Sequence, residues 1–221
     1  IRRPPRSTPK PSSAASDVYK RQVLEEIAAF SSHTSGVIGF VDRKNDSHNQ
    51  DNNKRTIANA AAIVQNGDVR GIYHKSFLPN YSVFDEARYF SKGTEPNTLF
   101  WYDDIAIGIN ICEDIWIEDG PAEEQVKQGA SLIININASP YDIHKSETRK
   151  EIVMKKALKL NVPIIYLNMV GGQDELVFDG GSFVMDKLGK IVIQEKFFEE
   201  SENHFILDSK TKKKQISAKV S

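Results

Sequence analysis

The apolar residues of this chain recur mainly with the alternating period of β-strands. The clearest run covers residues 105–111, where isoleucine alternates with small or polar side chains, as in a strand with one buried face. Other runs of strand type are predicted at residues 37–41, 58–64, 69–74, 99–102, 131–138, 163–170, 183–185 and 190–193. Short turn sequences at residues 65–68, 103–104 and 187–189 join neighbouring runs, so three hairpins are predicted.

Three segments have helical periodicity instead, at residues 23–30, 122–130 and 146–160. Val23, Ile27 and Phe30 fall on one face of the first helix. Ser146 is placed to cap the third helix, and Asn161 is placed to end it. Strands joined by hairpins in one part and by helices in another predict an α/β domain with a mixed sheet.

Composition narrows the class of protein. With 221 residues, 39% apolar and 27% charged, the chain is typical of a globular domain with a substantial core. A single cysteine excludes an intrachain disulfide and a multi-cysteine metal site, which favours a reducing, cytoplasmic location. The net charge of -1 and the lack of a long apolar run predict neither a nucleic-acid partner nor a membrane partner.

The first 22 residues differ in composition from the rest. They hold six Lys/Arg against one Asp, whereas the other 199 residues hold 23 Lys/Arg against 29 Asp/Glu. Four of the nine prolines also lie here, which predicts a disordered arm and opposes the amphipathic helix of a transit peptide. Because the string closely resembles translated sequencing-adaptor read-through, residues 1–22 are interpreted as non-native and excluded from the fold prediction.

Three residues at predicted strand ends or in the following loops could carry chemistry: Cys112, Lys75 and Glu86. A lysine near a thiol lowers its pKa and can hydrogen-bond a developing oxyanion. A carboxylate can act as general base or hold the lysine in place. Taken singly, Cys112 fits a buried structural thiol, and Lys75 and Glu86 fit surface charges. No histidine has metal-ligand spacing, so no metal site is predicted.

Four separated blocks of sequence carry a family resemblance. They are residues 74–90 (HKSFLPNYSVFDEARYF), 108–116 (GINICEDIW), 137–140 (NASP) and 168–180 (NMVGGQDELVFDG). In this order they resemble the nitrilase (carbon–nitrogen hydrolase) superfamily, over about residues 22–206. The LPNY-x-VFDE part of the first block favours the glutaminase domains of glutamine-dependent NAD synthetases over general amidases.

The resemblance implies an αββα sandwich of the nitrilase type and a Glu-Lys-Cys catalytic triad. Cys112 would be the nucleophile that attacks the side-chain carbonyl of glutamine, forming a thioester and releasing ammonia. Lys75, as the triad lysine, and the backbone N–H of Glu113 would stabilise the oxyanion. Glu86 matches a second active-site carboxylate.

Further family positions concern the substrate. Tyr81 and Ser139 match residues near the glutamine, and residues 173–175 match a supporting loop. The glutaminase domain itself needs no cofactor or metal, and the family often assembles as homo-oligomers. Its partner is an ATP- and Mg-dependent synthetase domain that uses the ammonia to amidate deamido-NAD.

The sequence also departs from the family pattern. The triad glutamate normally precedes the first recognisable helix, but residues 1–22 contain no Glu. We therefore expect an N-terminally truncated glutaminase domain over residues 23–208, followed by a charged tail or linker at 209–221 and lacking the synthetase domain. Loss of a general acid/base predicts activity lowered by about 10²–10⁴-fold.

Two alternatives remain open at the level of sequence. The chain could be a stand-alone amidase or nitrilase-type hydrolase acting on another small amide, or a catalytically silent binding or assembly module. A panel of amides separates the first alternative from a glutaminase. Labelling of Cys112 by a glutamine-like electrophile separates the second.

Overall fold

The computed structural model describes residues 22–43, 57–81, 84–96, 98–207 and 216–218. The strands, in chain order, are β1 (Ser35–Arg43), β2 (Ile57–Gln65), β3 (Asp68–His74), β4 (Leu99–Tyr102), β5 (Ile105–Ile111), β6 (Leu132–Asn137), β7 (Ile164–Asn168), β8 (Val170–Gln173), β9 (Leu176–Asp179), β10 (Phe183–Met185), β11 (Ile191–Gln194), β12 (Phe205–Leu207) and β13 (Ile216–Ala218). The helices are α1 (22–29), α2 (Glu86–Tyr89), α3 (Pro121–Lys127) and α4 (Lys145–Leu160), and a 3₁₀ turn covers Cys112–Trp116.

Two main sheets are formed. One is antiparallel, in the order β1-β2-β3, and the other has six strands in the order β11-β10-β7-β6-β5-β4. In the larger sheet β5, β6 and β7 are parallel neighbours, whereas β4, β10 and β11 pair antiparallel. The mixed sheet predicted from the sequence is therefore confirmed. The antiparallel pairs β8–β9 and β12–β13 form two further small sheets.

The two main sheets pack face to face through apolar side chains. Ile63 and Tyr73 of the smaller sheet are buried against Ile109 and Ile111 of β5. On the outer face of the larger sheet, α4 contributes Val153 to a second cluster. On the outer face of the smaller sheet, α1 packs its Leu24 and Ala28 against β2. The resulting layers, helix, sheet, sheet and helix, confirm the αββα sandwich.

Hairpin β2–β3 follows its sequence signal closely. Gln65 pairs with Asp68, and the two residues between them, Asn66 and Gly67, have φ values of 53° and 82°. Positive φ at both central positions is the geometry that favours Asn-Gly turns. Strand β3 ends at His74, so the next residue, Lys75, lies at the end of this strand.

The predicted helix faces and caps are partly wrong. Phe30 is 87% exposed, since α1 ends at residue 29 and places the smaller Ala28 against the alanine-rich β2. Helix α4 begins at Lys145, before the predicted cap Ser146. A turn at Asp142 starts it instead, because its carboxylate accepts the N–H of His144 and its carbonyl accepts that of Lys145.

The C-terminal part contains more strand than predicted. The run expected at 163–170 divides into β7 and β8, because the buried amide of Asn168 bonds Asp179 and the Gly180 carbonyl and so draws β9 back beside β8. Residues 216–218, predicted to lie in a tail, form β13 and pair with β12. The predicted arm at 1–22 falls almost wholly outside the described residues. Within the described part of the chain, no helix is both long and apolar enough to cross a membrane.

Candidate active site

Lys75 lies directly after β3 and is 1% exposed. Its backbone is fixed on both sides, since its N–H donates to Asn59 and its carbonyl accepts from Gly93. Its ammonium donates to both carboxylate oxygens of Glu86, at 2.7 and 2.8 Å. A buried lysine requires such a partner, and Glu86 is itself only 20% exposed. The structure thus brings together two of the three residues selected from the sequence.

Cys112 lies at the point where β5 gives way to the 3₁₀ turn. Its φ is +46°, in the left-handed region that side chains other than Gly, Asn and Asp seldom adopt. Such outliers cluster at functional sites, where the surrounding structure holds them. The sharp change in backbone direction places a half-buried thiol at the end of a rigid strand.

The thiol of Cys112 is kept protonated by its surroundings. Burial raises its pKa to about 11, and the carboxylates of Glu86 and Glu113 act in the same direction. The ammonium of Lys75 opposes them and lowers the pKa. Attack on a substrate therefore requires removal of the thiol proton at the moment of reaction.

A cavity of about 170 Å³ opens at the thiol. Its lining contains aromatic, charged and hydroxyl side chains: Tyr81, Phe84, Cys112, Glu113, Trp116, Ser139 and Lys145. Both family-matched positions near the substrate, Tyr81 and Ser139, are in this set, and so is Glu113, whose backbone N–H was matched to the oxyanion hole. The β8–β9 turn around residues 173–175, expected to support the site, lies outside the set that lines the cavity.

Opposite charges line the cavity. The hydroxyl of Tyr81 donates to the carboxylate oxygens of Glu113 at 2.8 and 2.9 Å, and burial together with this hydrogen bond raises the pKa of Tyr81. Lys145 lies over the ring of Phe84, 5.6 Å from its centroid. No carboxylate in the described part of the chain pairs with Lys145, so its charge is available to a ligand.

Lys145 was missed by the sequence analysis. It is the first residue of α4, where the positive end of the helix dipole disfavours a cation. A lysine at this unfavourable position, shortly after the NASP block, is the sequence feature that could have identified it. Phe84 and Trp116 were also missed, because aromatic residues in loops fit a core as well as a ligand site.

Ser139 is held in the cavity wall by a buried network. Nη1 of Arg149 donates a hydrogen bond to the carboxylate of Asp179 at 2.8 Å. Nη2 of Arg149 donates to the carbonyl and the hydroxyl of Ser139 at 3.0 and 3.2 Å. The side-chain oxygen of Asn168 accepts the N–H of Ser139 at 2.9 Å. Both members of the ion pair are almost fully buried, so Ser139 has a fixed position.

Comparison with known proteins identifies the family and the fold of the chain. The carbon–nitrogen hydrolase family model matches residues 11–207 and so overlaps the compositionally distinct first segment. The chain is 48% identical over 142 residues to the glutamine-dependent NAD(+) synthetase of Aquifex aeolicus, covering 64% of this chain and 25% of that protein. It is 41% identical over 188 residues to the Thermotoga maritima protein of the same name, covering 82% and 31%.

Solved structures give the same fold. Glutamine-dependent NAD+ synthetase from Acinetobacter baumannii, in complex with ADP, superposes with a TM-score of 0.81 at 31% identity, covering 96% of this chain and 39% of that one. A carbon-nitrogen hydrolase from Helicobacter pylori shares the fold at 19% identity, with a TM-score of 0.71. The chain spans about a quarter to a third of the length of the curated relatives named above. Because the family model matches most of its length, this chain belongs to the carbon–nitrogen hydrolase family.

Proposed function

We propose that this chain hydrolyses the side-chain amide of glutamine, as the glutaminase part of a glutamine-dependent NAD synthetase. One observation carries the proposal: the cavity at Cys112 presents to one small ligand both the carboxylate of Glu113 and the ammonium of Lys145, which no carboxylate among the described residues neutralises. Lys145 pairs with the α-carboxylate, and Glu113 and Tyr81 receive the α-ammonium. An amide without these two charges leaves Lys145 unpaired and gains less from the site.

The reaction is an acyl transfer through the thiol. The sulfur of Cys112 bonds to the amide carbonyl carbon, the C–N bond breaks, and the amide nitrogen takes a proton and leaves as ammonia. Lys75 and the backbone N–H of Glu113 stabilise the oxyanion that forms on the carbonyl oxygen, and Glu86 holds Lys75. Water then hydrolyses the thioester to glutamate and restores the thiol.

Both steps need a proton acceptor. Glu86 and Glu113 already accept hydrogen bonds from Lys75 and Tyr81, which makes them poor general bases. The family resemblance assigns this task to a glutamate that precedes α1, a position for which residues 1–22 offer no Glu. A chain that holds such a base should form and hydrolyse the thioester about 10²–10⁴-fold faster than one that does not.

The ammonia is consumed by a partner domain that amidates deamido-NAD with ATP and Mg²⁺. The names of the relatives support this step, and so does the share of their length that this chain leaves uncovered. The thiol chemistry itself uses no cofactor. A cytoplasmic homo-oligomer is the form that we propose for the whole protein.

Mass spectrometry of the full chain tests the proposal directly, since Cys112 is the only cysteine. The electrophile 6-diazo-5-oxo-L-norleucine carries the charges of glutamine, whereas chloroacetamide carries neither. We expect the glutamine-shaped reagent to label Cys112 faster, and Cys112→Ala to abolish labelling. Ammonia release from glutamine should exceed that from propionamide.

A charge-matched pair of variants locates the selectivity. Lys145→Gln should slow labelling by the glutamine-shaped reagent about 10–100-fold, the value of a charge-assisted hydrogen bond. It should slow chloroacetamide by at most about 3-fold, through loss of a cation that lowers the pKa of the thiol. Lys155→Gln, on the exposed face of the same helix, should change neither rate. Faster turnover of propionamide than glutamine would indicate a stand-alone amidase, and an inert Cys112 would indicate a silent module.

A further inference from the structure

Asp114 is fully buried and accepts four hydrogen bonds. Its Oδ1 accepts the backbone N–H groups of Ser76 and Phe77 at 3.1 and 2.9 Å. Its Oδ2 accepts the backbone N–H of Ile111 at 3.1 Å and the hydroxyl of Tyr73 at 2.9 Å. All four donors are protein groups, so this carboxylate faces the interior and not the cavity.

These partners lie on two segments that carry the chemistry. Ser76 and Phe77 directly follow Lys75, and Ile111 directly precedes Cys112. One side chain therefore joins the end of β3 to the end of β5. The hydrogen bond between Asp114 and the N–H of Ile111 also bridges Cys112, which lies between these two residues in the chain.

We propose that Asp114 is a positioning residue that holds Cys112 in its left-handed backbone and keeps it facing Lys75. The reaction that this geometry serves rests on the proposed function, but the joining of the two segments does not. Asp114 lies behind the turn and touches no reacting atom.

The chemistry of the four donors explains why a carboxylate is required. An ionised carboxylate only accepts hydrogen bonds, at two oxygens with two lone pairs each. Asparagine presents one oxygen and one NH₂ group. Its NH₂ group would therefore face backbone N–H donors, either those of Ser76 and Phe77 or that of Ile111, and could not accept from them. Loss of either contact releases one of the two segments.

A purely stabilising role is the competing explanation, and Glu123 provides the matched control. Glu123 is 3% exposed, and it accepts hydrogen bonds from Lys156 at 2.6 Å and from the N–H of Gly120 at 3.2 Å. It is buried and multiply bonded like Asp114, but its partners belong to neither the Lys75 segment nor Ile111. Glu123→Gln should lower the melting temperature without changing the geometry at the thiol.

The experiment compares Asp114→Asn with Glu123→Gln in the full chain, using two reagents on Cys112. Labelling by 6-diazo-5-oxo-L-norleucine should slow at least tenfold in Asp114→Asn, because the thiol no longer meets the aligned substrate. Labelling by iodoacetamide should quicken at least threefold, because the burial that keeps the thiol protonated is relieved. Glu123→Gln should change neither rate.

Unchanged iodoacetamide labelling in Asp114→Asn would overturn the proposal, as would equal effects of Glu123→Gln. If Asp114→Asn does not fold, Tyr73→Phe removes one of the four donors and should shift both rates in the same directions by a smaller factor; unchanged rates in that variant also count against the proposal. Failure of the wild-type chain to react with the glutamine-shaped reagent refutes the proposed function instead and leaves the iodoacetamide comparison valid.

Discussion

Removing either half of the Lys75–Glu86 ion pair should change the reactivity of Cys112, in opposite directions. Lys75→Met removes an ammonium that lowers the pKa of the thiol, and Glu86→Gln removes a carboxylate that raises it. A single nearby charge changes a pKa by about one or more. The thiol pKa should therefore rise by about one in the first variant and fall by about one in the second.

The magnitude follows from the thiolate population. At pH 8 a thiol with a pKa of about 11 is ionised to about one part in 10³, whereas a free cysteine with a pKa of ~8.5 is about one-quarter ionised. A more basic thiolate is more nucleophilic, with a Brønsted coefficient of ~0.4–0.5 in disulfide exchange. The net expectation is that Cys112 reacts roughly 20-fold more slowly than a free cysteine, with Lys75→Met about 3-fold slower still and Glu86→Gln about 3-fold faster.

The assay is exchange with a small uncharged disulfide, followed as mass increase between pH 7 and 10. The wild-type rate should rise about tenfold per pH unit across this range, with no plateau near pH 8.5. Lys127→Met, an exposed lysine paired with Glu124, is the control and should match wild type. A plateau near pH 8.5, or changes of the same sign in Lys75→Met and Glu86→Gln, would refute the electrostatic account of the thiol.

Three further predictions concern stability and pH. Arg149→Met leaves the carboxylate of Asp179 buried and unpaired, so the free energy of unfolding in urea should fall by about 3–5 kcal/mol. Gly108→Ala places a Cβ in steric conflict with the side-chain oxygen of Gln125, and this overpacking should lower stability by about 1–3 kcal/mol, read from the melting temperature. Because the pKa of Cys112 is about 11 in the folded chain against an ordinary 9.0, the unfolded thiol ionises first. Wild type should therefore lose up to about 3 kcal/mol of stability relative to Cys112→Ala between pH 9 and 11.

Each of these predictions has a control. Lys150→Met removes a cation from the same helix as Arg149, but its partner Glu147 is exposed. The free energy of unfolding should therefore change by less than about 0.5 kcal/mol. Gly172→Ala places a Cβ in ordinary contact at 3.6 Å and should leave the melting temperature unchanged. A stability difference between wild type and Cys112→Ala that stays constant from pH 9 to 11 would contradict the raised pKa of the thiol.

The parts of the fold that depend on interactions between neighbouring residues could be predicted from the sequence. The β2–β3 hairpin follows from Asn66-Gly67, since no distant contact is needed to favour positive φ at both residues. The short strand β13 could not be predicted, because its sequence lies among charges and its pairing with β12 is a tertiary choice. Lys75 and Glu86 were selected for their places at a strand end and in the loop after it. Their contact could not be predicted, because it spans a loop whose path the alternation of apolar residues does not encode.

Asp114 shows why part of the site could not be predicted. Three of its four donors lie 37–41 residues earlier in the chain, so the hydrogen bonds that define its role exist only after the two sheets pack. In sequence it is one more acidic residue after an apolar run, typical of a strand ending at the surface. Lys145 was overlooked for the same reason, since the cavity that it faces is built from four separate segments.

The tight turn after β5 lets three consecutive residues serve different purposes. In a 3₁₀ turn successive side chains point about 120° apart, so Cys112 and Glu113 reach the cavity while Asp114 turns inward. Burial raises the pKa of Asp114 to about 6 despite the N–H groups that lower it, and at neutral pH it remains an acceptor. Glu113→Gln should therefore weaken capture of glutamine with little effect on the melting temperature, and loss of its charge should quicken iodoacetamide labelling by at most about 3-fold, as in Glu86→Gln. Asp114→Asn should also lower the melting temperature, because it leaves buried backbone N–H groups without an acceptor. Equal melting temperatures in the two variants would contradict this division between neighbouring carboxylates.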